Sequence, residues 1–168
     1  MNMLLRNGIR LNWPLSYIGL INKWISPNEI VDAAFKGQFS IPVDEETLVD
    51  FEINKDNFES FKRLVQVNFE KLGKEDGLNW AKDVWQLAFL LEVKKSNKNL
   101  DEKFVDIIEL WEMFGYRSEW ESFINILPAK EGEPTGTQSV YSNFLSYIDS
   151  EFKRLLRQSP SSLSHTGI

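Results

Sequence analysis

Few side chains in this 168-residue chain have the type and spacing to do chemistry. Asp106, Glu109 and Glu112 stand three residues apart among Ile107, Ile108, Leu110 and Trp111. On a helix that spacing puts the three carboxylates on one side. Two carboxyl groups at the right separation can serve as acid and base in glycoside hydrolysis. The same pattern also marks the solvated face of an amphipathic helix. That reading is the stronger one, because acidic faces are common and catalytic pairs are rare. The single histidine, His165, is fourth from the C-terminus in a serine-rich stretch. A base or metal ligand must be held in place by its surroundings, so His165 is expected to be a spectator.

The other routes to catalysis are closed or unsupported. The chain has no cysteine, hence no disulfide, thiolate metal site or cysteine nucleophile. It carries no GxGxxG and no paired-histidine spacing. Gly132-Glu133-Pro134-Thr135-Gly136 is glycine-rich but lacks the lysine and the strand-to-helix setting of a phosphate loop. The expectation is a binding protein with no catalytic residue, no metal and no cofactor.

Charge is the more informative property. Lys and Arg number 19 and Asp and Glu 25, a net charge of -6, which disfavours direct binding to phosphate backbones. The acids are concentrated. From Ser26 to Ser60 the balance is -7, from Asp101 to Glu133 it is -6, and the remainder is +7. Such blocks can steer a basic protein partner, although ordinary solubility explains them equally well. The candidate partner contacts are Asp44, Glu45, Glu46, Asp50, Glu52, Asp56 and Glu59 in the first block. Asp106, Glu109 and Glu112 are the candidates in the second.

The elements that must carry these residues read as helices. Asn12 before Trp13-Pro14 is a helix cap, and Ser26-Pro27-Asn28-Glu29 is a capping box for a helix burying Ile30, Val31, Ala34 and Phe35 and ending at Gly37. Asp44-Glu45-Glu46 suits a helix start, yet Leu48 to Ile53 also fits a short strand. Phe58, Phe61, Leu64, Val65, Phe69 and Leu72 form a helical stripe, and Gly73 to Gly77 a break. Leu78 to Val93 is apolar on most sides and therefore central to the core. Asp101 caps a helix running to Phe114 with Gly115 as its stop, and Ser118 opens a shorter one through Leu127. After an exposed loop over 129–137, a last helix covers Ser139 to Arg157.

Core packing is the expected place for Trp80, Trp85, Trp111 and Trp120, while Trp13 and Trp24 are expected to be partly exposed. The fold class is all-α, a multi-helix bundle or a short solenoid-like stack of helical hairpins. A single domain is expected over 1–157, with a flexible tail over 158–168. No stretch has the roughly 18–20 apolar residues of a membrane span, so a mature cytoplasmic protein without membrane contact is expected.

The second half carries a recognisable series: the helix Trp80 to Val93, the acidic helix Leu100 to Phe114, Met113-Phe114-Gly115-Tyr116, and Glu119-Trp120-Glu121-Ser122-Phe123-Ile124 before Leu127-Pro128. With Leu11-Asn12-Trp13 and Ile25-Ser26-Pro27-Asn28-Glu29-Ile30, it resembles an uncharacterised all-helical bacterial domain family. Members of that family are found among candidate immunity proteins of polymorphic and contact-dependent toxin systems. Where the family usually has an aromatic-proline pair after the Phe-Gly region, this chain has Tyr116-Arg117. The resemblance implies a protein that binds and neutralises the C-terminal domain of a cognate toxin, with a basic nuclease the leading target. An intracellular helical adaptor without a toxin is the alternative, and a carboxylate-only hydrolase a more distant one.

Overall fold

The computed structural model describes residues 2–71, 76–126 and 136–158. Among these the chain is all-α, with eight α-helices, one 3₁₀ helix and no strand. The helices are α1 (Met3–Arg6), α2 (Trp13–Ile21), α3 (Pro27–Phe35), α4 (Glu45–Asn54), α5 (Phe58–Glu70), α6 (Asp76–Lys95), α7 (Leu100–Met113) and α8 (Thr137–Gln158), with the 3₁₀ helix at Ser118–Phe123. The one piece of extended pairing is an isolated parallel bridge between Leu11 and Phe39. The chain divides into two compact units, built on Met1–Trp85 and on Gln86–Arg157.

In the first unit α2 packs on α5, α5 on α4 and α4 on α3. Phe51 of α4 and Phe61 of α5 meet at 4.8 Å between ring centroids, and Trp13 approaches Phe51 at 5.8 Å and Phe39 at 5.3 Å. Tyr17 stacks flat on Phe69 at 5.6 Å. Leu11, Leu15, Phe51, Phe61, Val65 and Trp85 are fully enclosed.

The helix ends follow local chemistry. Asn2, Asn12, Ser26, Asp44 and Asn57 each accept a backbone amide from the first turn they open. At Ser26 the expected capping box is complete, with Glu29 returning to the Ser26 amide at 3.1 Å. Three of these helices close with the same paired hydrogen bonds, 6→1 and 5→2 around a left-handed residue. That residue is Gly8 after α1, Lys23 after α2 and Gly37 after α3.

The second unit centres on an aromatic cluster. Trp120 and Phe123 are fully buried. They stand three residues apart in the 3₁₀ helix, where that spacing stacks side chains on one side. Phe114, Phe144 and Tyr147 surround them at 5.1–5.9 Å across the Phe114–Trp120, Phe123–Phe144 and Phe123–Tyr147 pairs. The Trp120 indole N–H donates to the Tyr147 hydroxyl at 3.0 Å.

Several expectations are corrected. The Leu48–Ile53 stretch is helical, inside α4. The cap of α7 is Asn99, not Asp101. Glu102, three residues beyond Asn99, completes a capping box that Asp101, followed by Phe104, cannot form. The Ser118 segment is a 3₁₀ helix ending at Phe123, and Gly77 lies within α6.

Phe35 is 57% exposed rather than buried. Each helical residue turns about 100°, and Phe35 falls just beyond the arc that carries Ile30, Val31, Ala33 and Ala34 inward. Trp85 and Trp120 are buried as expected, whereas Trp80 and Trp111 are half-buried, like Trp13 and Trp24. The break over 73–75, the end of the Ser118 segment at Leu127, the loop over 129–135, the tail over 159–168 and His165 lie outside the described residues.

Candidate protein-binding surface

The first acidic block follows α4 and its flanks. Asp44 opens the helix: its carboxylate accepts the Thr47 amide at 2.8 Å and the Thr47 hydroxyl at 2.9 Å. Those hydrogen bonds to the charged form hold its pKa below the ordinary carboxylate value. Glu45 and Glu46 are exposed and occupy the first turn, where the helix amides favour negative charge. Asp50 is half-buried, and Glu52, Asp56 and Glu59 are exposed. Two of these acids are engaged locally, Glu52 with Lys55 and Glu59 with Lys62. Exposed ion pairs of this kind contribute little.

Between these acids α4 leaves two large apolar side chains in water. Val49 is 57% exposed and Ile53, one turn on, 73%. Only Phe51 of this helix is fully buried. The acid-rich face is thus interrupted by an apolar pair at i,i+4.

The second block is on α7. Asp106 is half-buried and holds Lys98, whose ammonium lies 2.7 Å from both carboxylate oxygens. That hydrogen bond raises the Lys98 pKa. Glu109 and Glu112 are exposed, as are Val105 and Met113 on the same helix. Of the three carboxylates first weighed as a catalytic set, one is neutralised by a lysine and two stand in solvent. No group of three or more His, Asp or Glu side chains among the described residues is arranged to hold a metal ion. No helix among them is long and apolar enough to cross a membrane.

Charge counting alone missed the apolar members of these surfaces: Val49, Ile53, Val105, Met113 and Tyr116. For Val49 and Ile53 the signal available in the sequence is their alternation with Phe51, because positions 49, 51 and 53 cannot all point inward on one helix.

No curated protein and no solved structure matches the chain. One family profile covers most of it, residues 1–152. The chain belongs to that family, DUF2247, an uncharacterised protein family conserved in bacteria.

Proposed function

We propose that the chain is an immunity protein that binds and neutralises the C-terminal domain of a cognate bacterial toxin in the cytoplasm. The observation that carries this reading is the α4 surface, where Val49 and Ile53 stand exposed one turn apart among Glu45, Glu46, Glu52 and Asp56. In interfaces of this composition, charge accelerates encounter and desolvated apolar groups supply most of the affinity. A net charge of -6 matches a basic toxin domain, and a nuclease is the leading class because it must hold phosphates with Lys and Arg. Carboxylates such as Glu45, Glu46 and Asp50 would pair with those cations, and the helical body would block the substrate. The protein performs no reaction in this role.

The test is co-expression with the C-terminal domain of a large toxin encoded immediately upstream. Restored growth together with a stable complex on size exclusion is the expected result. Continued killing with no complex overturns the reading in favour of an adaptor with a different partner. The association rate should also fall more than threefold from low to high salt.

A further inference from the structure

Within that reading of the chain as a protein-binding module, we infer that the C-terminal end of α7, with Tyr116 as its anchor, docks a basic amphipathic segment of a protein partner. The electrostatics are one-sided. Lys103 is the sole cation within α7, and it is buried. Its ammonium donates to the Lys94 carbonyl at 3.0 Å and lies 5.6 Å from the Tyr141 ring centroid. Lys98 is taken up by Asp106, and Arg117 pairs with Glu119 at 3.3 Å. Glu109 and Glu112 are left without an ion-pair partner among the described residues, on the helix face that also exposes Val105 and Met113.

Tyr116 supplies what an acidic patch alone lacks. It follows Gly115 at the end of α7, and both have left-handed backbone, φ 79° and 58°. That region is unfavourable for a tyrosine. The conformation is held from two sides: the Tyr116 amide donates to the Trp111 carbonyl at 2.8 Å, and the Trp111 indole N–H donates to the Arg117 carbonyl at 2.8 Å. The Tyr116 ring stands edge-on to Trp111 at 5.0 Å and 89°, yet is 59% exposed. An aromatic ring fixed in place before binding loses little freedom on contact, and tyrosine is over-represented among the residues that dominate interface energies. Its face accepts a lysine or arginine, Val105 and Met113 are exposed on the helix that precedes it, and two carboxylates without an ion-pair partner among the described residues stand nearby in sequence. A segment alternating Lys or Arg with apolar residues fits all three.

The probe is a fluorescein-labelled helical peptide of lysine and leucine, followed by anisotropy and by amide shifts in an NMR titration of the full chain. Wild type should bind it, with shifts concentrated on Val105 to Arg117, and a glutamate–leucine peptide should not bind. Tyr116→Gly suits the left-handed backbone better than tyrosine, so it keeps the fold while removing the ring. It should weaken binding at least tenfold, and Glu109→Gln with Glu112→Gln at least fivefold. Shifts elsewhere, equal binding of the acidic peptide, or Tyr116→Gly affinity within twofold of wild type would each overturn the proposal. So would a dimer of the chain that Tyr116→Gly dissolves, which would give the face to a second copy. The peptide measurements need no toxin. Failed protection by the wild-type chain therefore counts against the immunity role, and a failed peptide titration against this surface.

Discussion

Trp85 lies across Gly19 with no room for another carbon: a Cβ at Gly19 would sit 2.4 Å from Trp85 Cζ2 and 2.7 Å from Ile25 Cγ2. The Trp85 indole N–H also donates to the Leu15 carbonyl at 2.9 Å, one turn back along α2. The tryptophan is thus fixed to α2 by a hydrogen bond at one point and by close packing at another. Alanine would raise the helix propensity at position 19 by about 1 kcal/mol, but the clash is with rings and a buried methyl, not with a flexible chain end. Overpacking of this kind costs about 1–3 kcal/mol or more. A 2.4 Å approach puts the cost in the upper part of that range, so Gly19→Ala should lose about 1–2 kcal/mol net in urea unfolding followed by tryptophan fluorescence. A variant as stable as wild type would show that Trp85 can move aside.

The end of α2 offers the opposite case. Its closing bonds, Lys23 amide to Leu20 carbonyl at 3.1 Å and Trp24 amide to Gly19 carbonyl at 2.8 Å, require a left-handed residue at 23. The equivalent positions after α1, α3 and α7 are the glycines Gly8, Gly37 and Gly115, but here the residue is Lys23 at φ 60°. Left-handed backbone costs an L-residue about 1–2 kcal/mol, while glycine brings an entropic cost of about 0.5–1 kcal/mol. Lys23→Gly should stabilise by about 0.5–1 kcal/mol, raising the melting temperature by about 1–4 °C. A lower melting temperature in calorimetry would contradict this.

These helix ends show what could be read directly from the chain. Asn12 before Pro14 and Ser26 before Glu29 are caps whose partners are fixed by sequence distance, so the structure repeats them. Leu48–Ile53 also fits a short strand by local pattern, since Val49, Phe51 and Ile53 alternate. The caps decided otherwise. Asp44 closes on Thr47, and α4 buries only Phe51, leaving Val49 and Ile53 outside. Burial depends on the neighbouring helices, which local pattern does not contain, and for the same reason Phe35 and Tyr116 could not be placed by periodicity. The acidic blocks were legible as charge. Their pairing was not, because Lys98 reaches Asp106 across eight residues and Lys103 turns inward to Lys94.

In the second unit, Tyr147 couples the aromatic cluster to pH. Burial, with Glu151 nearby, pushes its phenol up to about 12, against the usual 10. The folded state thus retains the proton more strongly than the unfolded chain. This contribution to stability is complete below pH 10 and is lost as pH rises from 10 towards 12. Tyr147→Phe should abolish that part of the alkaline decline. At neutral pH it should cost about 1–3 kcal/mol, because the buried Trp120 indole N–H loses its acceptor. Urea titrations at pH 7, 10 and 11 separate the two effects. Equal alkaline slopes in wild type and variant would remove Tyr147 as the cause.

The α4 surface makes the sharpest division between stability and binding. Ile53 and Val49 have most of their area in water, so truncating them removes little buried surface. Alanine is moreover a better helix former than either β-branched residue. Val49→Ala with Ile53→Ala should leave unfolding free energy within about 0.5 kcal/mol of wild type, or slightly above it. In a toxin complex the same two side chains would become buried, where each contributes about 1.5–3 kcal/mol. Only part of that survives the costs of association. The double variant should therefore raise Kd at least tenfold, mainly through faster dissociation, with the salt dependence of association unchanged because no charge is altered. Calorimetric titration of the toxin domain paired with urea unfolding measures both. Lost stability would mean that Val49 and Ile53 support the fold, and unchanged affinity would place the toxin on another face.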